Sequence, residues 1–142
     1  MKWVTWQNVG VDRMACAWLI RKQIDPKAEF LFIPADQVEL PKGATPFDIP
    51  GVKLSHHKGH CSFHTLLDEY KLDDPVLRRI ARIVDEADTV QEVALEPAAA
   101  GLDLLCRGLR RTSADDHQAI DRGAMLYDAL YAELADEEAS AE

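Results

Sequence analysis

Cysteine is scarce, with only three in 142 residues, Cys16, Cys61 and Cys106. An odd number at wide spacing excludes a disulfide framework and points to a reducing cytoplasm. No apolar run approaches the length of a membrane span, and the N-terminus has no basic-then-apolar leader pattern. Positive charge is also short: 16 Lys and Arg against 25 Asp and Glu leave a net charge of -9, and no stretch pools basic residues. Direct binding of nucleic acid by this domain is therefore not expected. Repeats and low-complexity linkers are absent, and only 135–142 reads as a frayed, disordered acidic tail. What remains is one domain over 1–134, and its 47% hydrophobic content is enough for a core.

Lys2 to Trp6 and Glu29 to Ile33, the latter closed by Pro34, read as strands around a helix, which makes a β-α-β start. Phe47–Ile49 and Val52–His56, separated by Pro50-Gly51, suggest two further short strands in a hairpin. From Ser62 onward the pattern is helical. Asp74-Pro75 is an N-cap and first-turn proline ahead of Val76, Leu77, Ile80, Ile83, Val84 and Ala87. A further helix starts near Pro97 and carries Leu102, Leu105, Cys106 and Leu109. The last follows Ser113-Ala114-Asp115-Asp116 and buries Ile120, Ala124, Tyr127, Tyr131 and Leu134. The expected class is α/β or α+β, with a small sheet of three to four strands and a mostly helical second half.

Against this frame the first helix stands out. Asp12, read as its N-cap, is followed by Arg13 and Arg21 in otherwise apolar company, on one stripe at i and i+8. A guanidinium cannot shed its charge on burial, so it must meet a carboxylate, carbonyls or a bound anion. Asp12, Asp25 and Asp48 are the candidate carboxylates.

Four of the five histidines crowd into His56-His57-Lys58-Gly59-His60-Cys61-Ser62-Phe63-His64. Histidine, cysteine and nearby acids suit a transition metal such as zinc, although the spacing matches no established zinc signature. His56 is anchored at a strand end. Cys61 precedes Ser62, the expected helix N-cap, where free N–H groups favour a thiolate. A histidine-activated Cys61 would be a nucleophile, reductant or ligand. Asp85, Glu86 and Asp88 form an acidic cluster at a helix C-terminus, where a cation would relieve them.

The segments Trp3-Val4-Thr5, Val11 to Arg21, Ile24 to Phe30, Pro34 to Val38, Pro46 to Val52, Leu54-Ser55-His56, Cys61-Ser62-Phe63, Ala87-Asp88-Thr89 and Tyr127 to Tyr131 resemble, in order, the ChrB-type chromate-resistance family. The resemblance implies a bacterial sensor or accessory protein in the chromate stress response. In longer relatives this domain follows a DNA-binding or rhodanese-like sulfur-transfer domain. Asp12, Arg13, Arg21, His56, Cys61 and Asp88 match the family pattern, whereas His57, His60 and His64 do not.

Three site hypotheses follow. Asp12, Arg13, Arg21 and His56 would bind an oxyanion such as chromate, or its reduction product. Cys61 and His56 would be the catalytic pair of a thiol enzyme. His56, Cys61 and Asp88 would hold a metal. The expected partners are a small anion or a metal ion and a second copy of the chain in a homodimer, with no membrane.

Overall fold

The computed structural model describes residues 1–89 and 93–141. Strand β1 (Lys2–Trp6) leads into helix α1 (Val11–Leu19). There follow β2 (Glu29–Ile33), β3 (Ala44–Pro46), α2 (Ser62–Glu69), α3 (Pro75–Asp88), α4 (Ala98–Thr112) and α5 (Asp116–Ser140). The strands form one parallel sheet in the order β2-β1-β3, with Trp3 opposite both Phe30 and Thr45. The class is α+β. Central β1 is covered on both faces, so Trp3, Val4 and Thr5 are buried in succession rather than in alternation. One face joins the main core; the other packs Val4 and Ile33 under Ile49.

The third strand is not where the sequence pattern placed it. Phe47–Ile49 and Val52–His56 form no hairpin; Ala44–Pro46 adds to the sheet instead. Pro46 ends the strand, and only the Phe47 N–H continues the ladder, to Val4 O at 3.0 Å. Asp48 then turns the chain with φ +50, and its N–H closes a compact loop on Leu54 O at 2.7 Å.

Helix α1 is the hub of the helical layer and touches α2, α3, α4 and α5. Every α1 residue except Arg13 is buried, as its polarity pattern predicts. Its N-cap is Gly10, however, and Asp12 lies inside the helix with its carboxylate committed elsewhere. Trp18 stacks between Phe63 and Tyr127. At Gly123 of α5 an added Cβ would come 3.0 Å from Met14 Sδ, so the missing side chain sets how closely α5 approaches α1.

Asp74 caps α3 by accepting from the Val76 N–H at 2.8 Å, and Asp115 caps α5 by accepting from the Gln118 N–H at 2.8 Å. Leu102 and Cys106 are buried on α4 as expected, but Leu105 is exposed. Residues 135–140, read from the sequence as a frayed tail, are the last turns of α5, where Glu137 pairs with Arg79; Glu142 lies outside the described residues. No helix among the described residues is long and apolar enough to cross a membrane.

Candidate functional site

Helix α2 has only eight residues, and its first N–H groups have no partners within the helix. No side chain of the N-cap, Cys61, serves them. Two carboxylates from other helices do. The Cys61 N–H donates to Asp85 Oδ1 at 2.7 Å, the Ser62 N–H to Asp12 Oδ2 at 2.8 Å and the Phe63 N–H to Asp12 Oδ1 at 2.9 Å. Ser62, expected as the cap, is the first helical residue, and its hydroxyl donates to Asp48 Oδ1 at 2.7 Å. Buried Asp12 thus caps a helix remote in sequence, which is why it does not cap its own.

On the far side of Asp12 lies His56. Its Nε2 is 3.1 Å from Asp12 Oδ2, 3.0 Å from Asp88 Oδ2 and 3.8 Å from Asp48 Oδ1. A single Nε2–H cannot serve three carboxylates, so this nitrogen sits in more negative charge than one proton neutralises. The hydrogen bond to Asp12 raises the His56 pKa to about 9, against the opposing effect of burial, and the Asp88 and Asp48 charges add to the rise. Burial, followed by the Asp12 charge, pushes Asp48 up to about 7, with Arg13 opposing. Burial also raises Asp88, and the Asp12 charge adds to it.

Arg13 is the positive member. Its guanidinium donates to the Asp48 backbone O at 2.9 Å, and its Nε lies 3.0 Å from Asp48 Oδ2. That second contact is off the N–H direction, so it is an ion pair in which the Nε–H itself stays unsatisfied.

These groups open into a pocket of about 570 Å³ walled by Trp6, Ile49 and Pro50, with Arg13, Asp48, His56 and Asp88 in its lining. A smaller recess reaches Asp12 from the Gly10 side. Trp6 ends β1, from which the chain leaves for β2 on one side and later returns as β3 on the other. Carboxyl ends of parallel strands at such a switch in order are where open α/β sheets bind ligands.

Asp12, Arg13, His56 and Asp88, all named from the sequence, therefore come together. Arg21 does not join them. Its guanidinium pairs with Asp121 at 2.8 Å and lies over the Phe30 ring; eight residues of helical rise already put it about 12 Å along the axis from Arg13, at the start of the π-helical turn Ile20–Ile24. Cys61 does not join them either. It is wholly buried, with its thiol 3.9 Å from Ala81 O, and burial, then Asp12 and Asp85, push its pKa far above the usual value. The expected activated thiolate is thus reversed. The helix-end N–H groups that would have stabilised it are already taken by carboxylates. Cys16 and Cys106 are also buried and raised. A short iodoacetamide pulse at neutral pH should accordingly leave all three cysteines unmodified, with full alkylation only in denaturant; mass spectrometry reads both, and rapid native labelling of Cys61 would contradict this geometry.

Asp48, named from the sequence only as a candidate partner for the arginines, does pair with Arg13 and also reaches His56, and Asp85, named only within an acidic helix end, holds the Cys61 N–H. A signal existed for Asp48, a carboxylate set between Phe47 and Ile49. The one metal-competent group of three or more residues found among the described residues is Asp12, Asp48 and His56, whose ligand atoms lie within 4.8 Å of one another. Around an ion with bonds of about 2.1 Å, ligand atoms are roughly 3.0 Å apart when cis and 4.2 Å when trans. The 3.1 and 3.8 Å separations from His56 fall in that range.

Fold and site together define a small α+β domain with an acid-rich, histidine-centred pocket at the carboxyl end of a parallel sheet. The chain belongs to the ChrB C-terminal domain family, whose model matches residues 3–134. It is 35% identical over 131 residues to "Protein ChrB" of Cupriavidus metallidurans, an alignment covering 92% of this chain and 40% of that protein. The chain thus spans about two-fifths of that relative's length. No solved structure matches it.

Proposed function

We propose that this domain serves bacterial chromate resistance by binding a hard multivalent cation on Asp12, Asp48 and His56, with Asp88 closing the set. The convergence of three carboxylates on one imidazole nitrogen carries this reading. Carboxylate-rich sets suit oxygen-preferring ions. Chromium(III), the hard cation left when chromate is reduced, has that chemistry. Buried, unpaired thiols are in keeping with a cytoplasmic setting.

A second reading, direct binding of the oxyanion, has one observation in its favour: Arg13 keeps an unpaired Nε–H beside a His56 held in its charged form. With every group ionised, however, three carboxylates face two cations, and a dianion would enter against net negative charge. The buried thiol gives little support to a Cys61–His56 enzyme.

Calorimetric titrations with manganese(II) and with chromate separate the two readings. The cation reading expects one manganese ion per chain and no chromate heat. Chromate binding that Arg13→Ala abolishes, without manganese binding, would favour the oxyanion instead.

The pH dependence provides a further check. The folded chain holds the His56 proton to about pH 9, against 6.5 for a free imidazole, and the Asp48 proton to about pH 7, against 3.8. Folded protein therefore binds more protons than unfolded across that window, and the stability these groups contribute falls as pH rises through it. A cation takes the place of those protons. Its stabilisation, read as the rise in Tm on adding manganese(II), should thus be larger near pH 9 than near pH 6.5; a pH-independent rise would contradict the assigned ligands.

A further inference from the structure

The histidines that the acidic site leaves unused are themselves organised. Lys58 and Gly59 both have positive φ, at +54 and +79, and form a two-residue turn closed by paired backbone hydrogen bonds between His57 and His60. The turn fixes His60 at the entrance of α2, four residues before His64. Their rings stack with centroids 3.9 Å apart and planes within 7°. Two like imidazoles seldom pack face to face without reason, since both would be cations if protonated.

Each ring is also held from behind. His60 Nδ1 meets Asp85 Oδ2 at 2.8 Å, and His64 Nδ1 meets Asp68 Oδ2 at 3.3 Å. A carboxylate at Nδ1 fixes the tautomer with the proton there and leaves a lone pair on Nε2, the arrangement that carboxylates impose on metal-binding histidines. Both rings line one open pocket of about 450 Å³, separate from the acidic site and on the other side of the Cys61 N-cap; its Lys53 is neutralised by Glu69 at 2.7 Å. His57 lines it too, but its Nε2 is engaged with Lys53 O at 2.6 Å.

We infer that His60 and His64 form a second metal site, for a borderline transition ion such as copper(II), nickel(II) or zinc(II), with Asp85 and Asp68 orienting the two ligands. Two histidines at i and i+4 at a helix can share one ion. The rings are parallel and 3.9 Å apart, so His60 stays on Asp85 while a turn of the His64 ring, which the exposed Asp68 side chain can follow, brings both free nitrogens onto one ion, and solvent completes the coordination. Imidazole nitrogen selects borderline metals, in contrast to the oxygen-rich set at Asp12. The inference does not depend on the function proposed for that set.

Copper(II) titration of the full chain, followed by paramagnetic resonance, tests it. The wild type should show a copper centre with two-nitrogen coordination. His60→Ala and His64→Ala should each remove that signature and weaken binding at least tenfold, while His57→Ala and Asp48→Asn should leave it intact. Unchanged copper binding in both the His60 and His64 variants would overturn the site, as would loss of all copper on Asp48→Asn alone.

Discussion

Asp12→Ala is expected to destabilise the chain more than any other single substitution at the site, by about 3–5 kcal/mol, the range for removing one partner of a buried charged network. The change leaves the Ser62 and Phe63 N–H groups without acceptors, each costing about 1–3 kcal/mol when buried. It also removes the closest buried carboxylate from His56 and detaches α2 from α1 at its entry. For a chain of this length the loss corresponds to a fall in Tm of very roughly 10–15 °C. Asp12→Asn keeps one acceptor oxygen and should cost less. Urea unfolding of both variants measures the difference, and a loss under about 1 kcal/mol for the alanine would show that the carboxylate is not the cap of α2.

Asp48→Asn should do the opposite: abolish cation binding and leave the fold nearly untouched. Near neutral pH the Asp48 carboxyl is already about half protonated, pushed up to about 7 by burial and by Asp12, so the fold tolerates a neutral side chain there. Asparagine also accepts the left-handed backbone at φ +50 as readily as aspartate, and its oxygen can still accept from Ser62 Oγ. The Arg13 ion pair is lost, but Arg13 keeps its bond to the Asp48 backbone O and the repulsion from Asp12 is relieved, so stability should fall by no more than about 1–2 kcal/mol. Manganese(II) affinity should drop by at least roughly tenfold, since a charged ligand is lost where even outer-shell changes cost 10–100-fold. Calorimetry and thermal melts on the same sample read both effects. Undiminished affinity would remove Asp48 from the ligand set.

The contrast between these two carboxylates shows what the sequence could and could not convey. Strands β1 and β2, the apolar surroundings of α1 and the Asp74-Pro75 entry to α3 were legible because each rests on neighbouring residues. Strand β3 was not. It is three residues long, and the longer apolar run after it is diverted by the left-handed turn at Asp48. Asp12, Arg13, His56 and Asp88 stand out by residue type, but the local pattern that makes Asp12 a cap of its own helix cannot show that its acceptor atoms serve amides fifty and fifty-one positions away. The stripe shared by Arg13 and Arg21 does not bring them together, because eight residues of helix separate them by about 12 Å along the axis and Arg21 finds Asp121 instead. For Cys61, the position at a helix end predicts a favoured thiolate. That rule holds only while the N–H groups are free, and here Asp85 and Asp12 have taken them.

Anomalous diffraction from crystals grown with manganese(II) tests the central claim most directly. The account predicts one peak bonded to Asp12 Oδ2, Asp48 Oδ1 and His56 Nε2, with Asp88 within reach and His56 no longer bonded directly to a carboxylate. Crystals with no peak there, but with chromate bound against Arg13 and His56 after a parallel soak, would contradict it.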